Sequence, residues 1–352
     1  MSGGKSHVWI DLGNSPHIPF FLAIARELKQ EGSEIVWTAR DYAQTVQLAK
    51  AAGLEPKVVG THGGGSMAAK GKKFLTRTIE LLAWARRQRF DIVLSHNSQE
   101  PLVVARLLGL QSVNMMDYEH HPANHLSFRM ARNVFVPEAF PDSALQLFGA
   151  GGGKAWKYPG IKEDVYLADF QADPAFYGEL EKLGISRSDI LAIVRPHAPE
   201  ALYHRKVENR LLDELLDRLA AYPNVKIILL PRKDYQGREI KERHPQENII
   251  NPPGVLDGPN LIAAADLVVS GGGTMIREAA ALGVPAYTVF AGKSAAVDEY
   301  LLAEGRLKRL SAPNDLNLVL PVKKPFAKPR QHKELLRQIV DRIRALIEGG
   351  ER

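Results

Sequence analysis

The amino-acid sequence predicts an α/β protein built from two doubly wound, Rossmann-like domains that face each other across a cleft. Short apolar runs typical of buried strands alternate with amphipathic helical stretches along the chain, which indicates βαβ units and parallel sheets. The length of 352 residues also exceeds what one hydrophobic core usually supports, because domains commonly hold ~100–200 residues.

Ten apolar runs are predicted to be strands, five in each half of the chain. Those of the first half lie at His7–Ile10, Glu34–Trp37, Asp91–Leu94, Ser112–Met115 and Val134–Val136. Those of the second half lie at Leu191–Val194, Lys226–Leu230, Asn248–Ile250, Leu267–Val269 and Ala286–Val289. Amphipathic stretches such as Phe20–Gln30 and Arg210–Ala221 are predicted to be helices between the strands.

The alternation pauses once, at a glycine-rich stretch from Gly149 to Lys154 that is followed by a Tyr-Pro-Gly turn. Glycine and proline are typical of connections, so the interdomain linker is predicted near Tyr158–Leu167. The N-terminal domain is expected to span residues 1–158 and the C-terminal domain residues 159–330. A last helix, within residues 331–352, is expected to complete the N-terminal domain.

The composition excludes several classes of protein. The chain has no cysteine, which rules out disulfides, thiol catalysis and cysteine-type zinc sites. No run approaches the ~18 apolar residues of a membrane span, and the start is too short and polar for a signal peptide. The cytoplasm is therefore the expected compartment.

Two segments carry an excess of positive charge. Residues 70–89 hold seven Lys or Arg against one Asp or Glu, and residues 322–352 hold nine against four. These segments are either solvated helix faces or surfaces that attract an anionic membrane or a polyanionic substrate. Nucleic acid is not an expected partner, because the basic runs lack interleaved aromatic residues and no groove-reading motif is present.

The most informative segment joins a predicted strand to a predicted helix through three glycines, Gly271, Gly272 and Gly273. The helix is expected to run from Thr274 to Leu282, with Gly283 as its C-terminal cap. Glycines at a helix start leave the backbone amides open to an anion, and the helix dipole favours negative charge there. The turn is therefore predicted to hold a diphosphate. The alternative is a tight strand-to-helix turn without a ligand.

Glu278 adds a second observation in the same helix. With Thr274 as the N-cap, the capping-box position falls on Arg277, so Glu278 is not used for capping. Its side chain leans back toward the helix start, where a carboxylate can accept hydrogen bonds from two ribose hydroxyls. A nucleoside diphosphate is therefore the predicted ligand. The alternative is a glutamate that only complements the helix dipole.

This segment, Gly-Gly-Gly-Thr-x-x-Arg-Glu-Ala-x-x-x-Gly-x-Pro, resembles the donor-binding segment of the glycosyltransferase-B superfamily, and especially that of the non-hydrolysing UDP-N-acetylglucosamine 2-epimerases. Over nearly its whole length the chain resembles a domain-of-unknown-function family of that superfamily. The supporting segments are Asp11-x-Gly-Asn-x-Pro-His17, Thr38-Ala-Arg-Asp41, Asp117-x-Glu-His120 and Tyr158-Pro-Gly-Ile-Lys-Glu-Asp-Val-Tyr-Leu167. The resemblance implies the glycosyltransferase-B architecture, a donor diphosphate at Gly271–Thr274 and ribose at Glu278.

The loop after the first strand places a histidine at the expected ligand-binding edge of the sheet. Gly13 and Asn14 permit a tight turn, and Asn14 or Ser15 is expected to cap the next helix. His17 then lies near a helix N-terminus, which lowers the pKa of an imidazole and suits a general base. The alternative is a histidine that only caps or packs. A similar Gly-Gly-His…Pro loop occupies this place in the lipid-linked N-acetylglucosaminyltransferase of peptidoglycan synthesis.

The loops after the predicted strands Asp91–Leu94 and Ser112–Met115 are rich in polar residues. The stretch Met116–His121 resembles the catalytic segment of the epimerases, which implies that Glu119 stands on their catalytic glutamate. Two other epimerase carboxylates have no counterpart: His96-Asn97-Ser98 replaces one, and Asn124 or His125 replaces the other. Epimerisation needs groups that remove and return a proton, so glycosyl transfer, or another nucleotide-sugar reaction, is favoured over epimerisation.

Further candidates lie in the second half of the chain. Arg195 is expected to stabilise the diphosphate, because a guanidinium binds phosphate oxygens in a bidentate way, and Arg232 is a weaker candidate. The alternative for Arg195 is an interdomain ion pair. Asp298 or Glu299 is expected to bind sugar hydroxyls or to start a surface helix.

Two other patterns are less specific. His121 and His125 have the i, i+4 spacing of a metal site, but the pattern is weak and no metal is predicted. The glycine-rich stretch Thr61–Lys73 is interpreted as a plain loop or as one that orders over a substrate.

The sequence as a whole predicts a glycosyltransferase-like enzyme that uses a UDP-sugar as substrate, without a cofactor or a metal. A UDP-N-acetylhexosamine 2-epimerase and a nucleotide-sugar-binding protein without catalysis are the alternatives. The basic segments indicate a lipid-linked or glycan acceptor of the cell envelope and peripheral contact with the inner membrane face. The predicted catalytic residues are His17, Asp117 and Glu119. The residues predicted to bind the diphosphate are Arg195, Gly271, Gly272, Gly273 and Thr274, and Glu278 is predicted to bind ribose. The residues predicted to contact sugar or acceptor are Asn14, Asn97, His120 and Asp298.

Overall fold

The structure, a computed structural model, describes residues 5–42, 44–61, 67–197, 205–290, 292–324, 328–330 and 332–349. The chain divides into two compact units. Unit 1 takes the chain up to Tyr166, residues 295–297 and the chain from His332 onward; unit 2 takes Leu167–Ser294 and Asp298–Gln331. The change between Tyr166 and Leu167 lies inside the predicted linker and later than the expected boundary at residue 158.

Unit 1 is built on a parallel sheet. Its strands are β1 His7–Leu12, β2 Glu34–Asp41, β3 Lys57–Thr61, β4 Ile92–His96, β5 Gln111–Met115, β6 Asn133–Pro137 and β7 Ala155–Tyr158. Among the described residues they form one seven-stranded sheet in the order β3-β2-β1-β4-β5-β6-β7. The chain runs outward from β1 to β3 and then returns to the other side of β1 at β4. This reversal is a topological switch point, beside which α/β sheets bind ligands.

Unit 2 repeats this arrangement. Its strands are β8 Ile190–Arg195, β9 Val225–Leu229, β10 Ile249–Ile250, β11 Leu267–Ser270, β12 Ala286–Thr288 and β13 Leu307–Arg309. Within the described part of the unit they form a parallel six-stranded sheet in the order β10-β9-β8-β11-β12-β13. The switch point of unit 2 therefore lies between β8 and β11.

Helices cover both sheets. They are α1 His17–Gln30, α2 Thr45–Ala51, α3 Met67–Ala85, α4 Gln99–Leu107, α5 Asn124–Met130, α6 Asp142–Leu147, α7 Lys162–Leu167, α8 Tyr177–Lys182, α9 Arg205–Ala220, α10 Asp234–Arg243, α11 Gly258–Ala264, α12 Thr274–Leu282, α13 Ala296–Ala303 and α14 Lys333–Glu348. In the ranges described, no helix combines the length and apolar character that crossing a membrane requires.

The core of unit 1 lies on both faces of its sheet. On one face Ile10 packs with Phe21 of α1 and Ile339 of the C-terminal helix α14. On the other face Trp9 packs with Leu81 of α3. Adjacent residues of β1 are therefore both buried, which explains why this strand reads as a continuous apolar run instead of an alternating one.

The predicted α/β class with two doubly wound, Rossmann-like domains is confirmed. All ten predicted strands are present, whereas β3, β7 and β13 were not predicted. Each of these three strands lies at an edge of its sheet and is mostly exposed or half-buried. Edge strands need fewer apolar residues, so their sequences lack the signal of a buried strand. The facing of the two domains across a cleft stays a prediction.

A solvated helix face was one interpretation of the basic segment 70–89, but one of its basic residues is buried. Arg77 of α3 is 2% exposed. Its Nη2 atom lies 2.6 Å from Oδ1 of Asp11, and its Nη1 atom lies 3.2 Å from Oε2 of Glu100. Its Nε atom also donates to the carbonyl oxygen of Val59. Arg77 therefore holds α3 against β1 and α4 and does not belong to the surface charge.

Candidate functional site

In unit 1, the last residue of β4 and the segments that follow β1, β5 and β7 bring polar side chains together near the carboxyl ends of the strands. Four of these side chains are buried, and that of His17 is half-buried. We call this group the His17–Lys162 cluster; its members are His17, His96, Asp117, Lys162 and Glu163. It lies beside the switch point of the sheet, where a ligand is expected.

His17 is the first residue of α1, so it lies near a helix N-terminus, as predicted. Its ring lies 4.5 Å from that of His96, and its buried Nδ1 atom has no hydrogen-bond partner among the described residues. Burial, then the charges of His96, Lys162 and Arg40, hold the pKa of His17 well below its usual value, against the opposite effect of Asp117. Burial and the neighbouring charges therefore favour the neutral imidazole at pH 7.

Asp117 lies just after β5 and forms an ion pair with a lysine that the sequence analysis did not select. The Oδ2 atom of Asp117 lies 2.9 Å from Nζ of Lys162, and its Oδ1 atom lies 3.7 Å from Nε2 of His96. Nζ of Lys162 also lies 3.5 Å from Oε1 of Glu163. Lys162 lies in the segment that is predicted to be the interdomain linker. Its Lys-Glu-Asp run after a Tyr-Pro-Gly turn was the available signal, but only the folding of α7 brings it to Asp117.

Glu119 is buried, and its carboxylate has one hydrogen bond from the backbone. The amide of Ala296, which belongs to the same compact unit, donates to Oε1 of Glu119 at 2.8 Å. Nε2 of the exposed His120 lies 3.5 Å from the same oxygen. Oε2 of Glu119 is buried and has no hydrogen-bond partner within the described chain. Glu119 therefore retains an oxygen that can accept a proton or a hydrogen bond.

The two asparagines predicted to contact sugar or acceptor have local roles. Oδ1 of Asn14 accepts the amide of Ser15, but the N-cap position of α1 is Pro16 and no side chain caps the helix. The expected cap by Asn14 or Ser15 is therefore wrong. The helix begins at His17, so the N-cap position falls on Pro16, after both residues. Asn97 has φ +53°. Its Oδ1 atom accepts the hydroxyl of Ser127 at 2.8 Å.

Gly13 brings the loop after β1 close to the loop after β4, which carries Asn97. A Cβ atom at this position would lie 2.1 Å from Oγ of Ser98, so a side chain here would require the hydroxyl of Ser98 to turn away.

The histidines that raised the question of a metal are used elsewhere. Nδ1 of His121 accepts the amide of Ala123. His125 contacts Arg129 through Nδ1 and packs edge-on against Phe148. In the residues that the structure describes, no group of three or more metal-binding side chains is assembled. Residues 62–66 of the glycine-rich stretch Thr61–Lys73 lie outside the described ranges.

In unit 2, the three-glycine turn has the local geometry that the sequence predicted, with one difference. The helix α12 runs from Thr274 to Leu282, and Gly283 ends it in the left-handed conformation with φ +75°. The N-cap is Gly273 and not Thr274, so Thr274 is the first helical residue. As first amides of a helix, those of Gly273 and Thr274 have no partner inside α12.

Each glycine of the turn has a structural reason of its own. A Cβ atom on Gly271 would lie 2.7 Å from the backbone of His197, and Gly272 and Gly273 have φ near +100°. The amide of Gly271 donates to the carbonyl oxygen of Arg195 at 3.0 Å. Gly271 therefore shapes the turn, and its amide cannot also hold a diphosphate. The inference from three glycines to a ligand is weaker than it was from the sequence, because backbone geometry accounts for all three.

Arg195 ends β8 and lies beside the turn, across the switch point of unit 2. Burial, then the charge of Arg232, lowers the pKa of Arg195 to about 10, whereas the carboxylate of Glu278 acts in the opposite direction. Nη2 of Arg232 reaches the carbonyl oxygen of Gly272 at 3.5 Å. Glu278 is 8% exposed. Two guanidinium groups and one carboxylate therefore meet at the start of α12.

Asp298 lies at the start of α13 and pairs with a residue of α12. Nε of Arg277 lies 2.7 Å from Oδ1 of Asp298, and both side chains are buried. Glu299, the other candidate, is exposed and pairs with Arg309. The carboxylate of Asp298 is thus already paired with Arg277, and this pair competes with any sugar hydroxyl for the carboxylate.

Solved proteins share this fold at low sequence identity. The UDP-N-acetylglucosamine 2-epimerase of Methanocaldococcus jannaschii, solved in complex with UDP-GlcNAc and UDP, superposes with a TM-score of 0.67 at 16% identity over 95% of this chain and 99% of that chain. MurG of Acinetobacter baumannii superposes with a TM-score of 0.59 at 18% identity over 97% and 99%. The chain therefore has the fold that these two proteins share, which is the fold that the resemblance implied.

Sequence similarity extends over most of the chain. An uncharacterised protein of Methanocaldococcus jannaschii is 28% identical over 309 residues, which cover 85% of this chain and 86% of that protein. A family profile described as "Protein of unknown function (DUF354)" matches residues 6–349. Because this match spans nearly the whole chain, the protein belongs to the DUF354 family.

Proposed function

We propose that this protein is an enzyme that binds a UDP-sugar through unit 2 and transfers the sugar to an acceptor hydroxyl, without a metal ion or a separate cofactor. The observation that carries this proposal is the meeting of Arg195, Arg232 and Glu278 at the start of α12. Burial and then the like charge of Arg232 lower the pKa of Arg195 to about 10, so the two cations lie close enough to repel each other. A dianionic diphosphate would relieve that repulsion.

The donor site follows from the chemistry of these groups. Guanidinium groups bind phosphate oxygens in a bidentate way, and the amides of Gly273 and Thr274 open toward an anion at the helix start. The carboxylate of Glu278 is suited to the two ribose hydroxyls. The epimerase of the same fold, solved with UDP-GlcNAc and UDP, supports this class of ligand. Arg195 would neutralise the diphosphate as it leaves.

His17 is the proposed base of the transfer, with Glu119 as the alternative. A neutral imidazole can take the proton of the acceptor hydroxyl while the oxygen attacks the anomeric carbon and the bond to the diphosphate breaks. The proton then resides on the base, and the negative charge on the nucleoside diphosphate. Asn14, Asn97 and His120 are proposed to contact the acceptor or sugar, and Asp298 is proposed to act mainly through its pair with Arg277.

A 2-epimerase is the second candidate function, and one specific observation favours it. The sequence comparison left two epimerase carboxylates without a counterpart, but the His17–Lys162 cluster contains other groups able to donate or accept protons. Epimerisation at C2 requires removal of a proton and its return from the other face. The buried cluster supplies two imidazoles, two carboxylates and an ammonium for such steps.

Incubation with UDP-N-acetylglucosamine in the absence of an acceptor separates the two functions. For a transferase we expect a thermal shift with the UDP-sugar and no change at C2 of the sugar, followed by NMR. Formation of the C2 epimer would contradict the transferase and establish the epimerase. Arg195→Gln is expected to abolish the thermal shift, whereas Arg238→Gln, an exposed arginine of the same unit, is expected to retain it. The absence of any shift across a nucleotide-sugar panel would contradict both functions.

We also propose that α3 contacts an anionic membrane surface at the cytoplasmic face, which would suit a lipid-linked acceptor. Leu75 and Ile79 are 59% and 57% exposed on this helix. The exposed Lys72 lies on the same helix, and the exposed Arg86 follows its last residue. Apolar side chains within a basic helix face favour binding at the interface of an anionic bilayer.

A further inference from the structure

The ammonium group of Lys162 is buried beside the switch point of unit 1, although Lys162 has no part in the proposed donor site. Lys162 is 4% exposed. Its Nζ atom lies 2.9 Å from Oδ2 of Asp117 and 3.5 Å from Oε1 of Glu163. Removing an ammonium from water costs several kcal/mol unless it is paired. The two carboxylates therefore account for its presence in this cluster.

The pairing decides what Asp117 can do. One of its oxygens faces the ammonium of Lys162, and the other faces His96 at 3.7 Å. An opposite charge at hydrogen-bond distance favours the ionised carboxylate. Asp117 is then a fixed negative charge and a poor proton acceptor, which differs from its predicted catalytic role. The uncharged imidazole of His17 stacks on His96 next to this pair.

We infer that Lys162 is a positioning residue, which by pairing with Asp117 leaves His17 as the proton acceptor of this site. The inference rests on the proposed function, because it treats the His17–Lys162 cluster as catalytic.

The charge of Lys162 acts on His17 directly as well. The pKa of His17 is lowered by burial first, then by His96, Lys162 and Arg40, whereas Asp117 raises it. Loss of the ammonium would remove one of the lowering charges and leave the effect of Asp117 in place. The pKa of His17 should therefore rise when Lys162 is neutralised.

An NMR titration of the ligand-free full chain, with isotope-labelled histidine, tests this inference. Lys162→Met is expected to raise the pKa of His17 by on the order of one pH unit, the usual effect of one nearby charge. Lys162→Arg keeps the charge and is expected to keep the pKa of His17 low. If Lys162 had only a structural role, replacing it would alter stability, but the pKa of His17 would not differ between Lys162→Met and Lys162→Arg.

A second variant guards against loss of folding, because Lys162→Met leaves Asp117 and Glu163 without their cation. Lys162→Met/Glu163→Gln removes one positive and one negative charge, so the net buried charge stays the same. We expect the same rise in the pKa of His17. Glu163→Gln alone is the matched control and should leave that pKa unchanged, because Glu163 is not among the groups that shift it.

Two outcomes would overturn the inference. One is a pKa of His17 that stays at the wild-type value in a folded variant without Lys162. The other is a rise of equal size in Lys162→Arg. No nucleotide-sugar is used in the titration, so its failure leaves the proposed function untouched. Failure of UDP-sugar binding would in turn count against the proposed function alone.

Discussion

Arg277 and Asp298 form a buried ion pair, in which Nε of the arginine lies 2.7 Å from Oδ1 of the carboxylate. The pair joins α12, which holds Glu278 next to Arg277, to the start of α13. A buried charge that loses its partner is strongly unfavourable. Asp298, which the sequence analysis assigned to the sugar, is therefore also a stabilising residue of unit 2.

Asp298→Ala is expected to lower the free energy of unfolding by about 3 kcal/mol, because it leaves the guanidinium of Arg277 buried without its carboxylate. Urea denaturation measures this change. Glu299→Ala is the control: Glu299 is exposed and pairs with Arg309, and an exposed pair contributes at most about 1 kcal/mol. Equal urea midpoints for the two variants would contradict the role of the buried pair.

Arg77→Met should destabilise unit 1 by about 3 kcal/mol, since it leaves the buried carboxylate of Asp11 without its cation and leaves Glu100 with Arg40 alone. Burial lowers the pKa of Arg77, but Asp11 and Glu100 outweigh this effect and raise it overall, so the guanidinium is charged. Urea denaturation again provides the measurement. Arg86→Met, at an exposed position just after the same helix, is expected to change stability little. The prediction is wrong if the two variants unfold alike.

Glu278→Ala is expected to weaken the binding of UDP about tenfold or more, because a hydrogen bond to a charged group contributes roughly 1.5–3 kcal/mol. Isothermal titration calorimetry measures the affinity, and circular dichroism checks that the variant is folded. Glu239→Ala, an exposed glutamate of the same unit, is the matched control. An unchanged affinity in Glu278→Ala would remove the ribose role of Glu278.

His17 should make stability depend on pH. Its pKa in the folded protein lies well below the value of about 6.5 of an unperturbed histidine. Above a pH of about 6.5, His17 is neutral in both the folded and the unfolded chain, and its full contribution to stability is present. As the pH falls below about 6.5, the unfolded chain binds a proton at this histidine but the folded protein does not, so stability decreases. We expect His17→Asn to show a smaller fall in urea midpoint between pH 7.5 and 5.5 than the wild type. A fall of the same size in both proteins would show that His17 does not titrate in this way.

Membrane contact through α3 is tested by flotation with vesicles that contain anionic lipid. The wild-type protein is expected to float, and the double variant Leu75→Ser/Ile79→Ser is expected to remain largely at the bottom, because it removes the exposed apolar side chains. High salt should also weaken the binding, since the flanking charges are screened. Leu107→Ser, at another exposed apolar position of unit 1, is the control. A wild-type protein that does not float would exclude the proposal.

Local sequence patterns were sufficient for most of the fold. The central strands were predicted because both of their faces are buried and nearly every residue is apolar. The end of α12 was predicted because Gly283 adopts the left-handed conformation that glycine favours. The edge strands β3, β7 and β13 were missed, because their exposed residues carry no such pattern.

The sequence by itself determined the α/β class, the central strands, the glycine turn before α12 and the position of His17 at a helix start. Only the tertiary structure decided which charged residues act together. It paired Lys162 with Asp117, buried Arg77 against Asp11, committed Asp298 to Arg277, and gathered Arg195, Arg232 and Glu278 at one helix start. The physical reason is that periodicity and turn chemistry are local properties of the chain. The environment of a charge, by contrast, depends on residues that are distant in sequence and meet only when the sheet is formed.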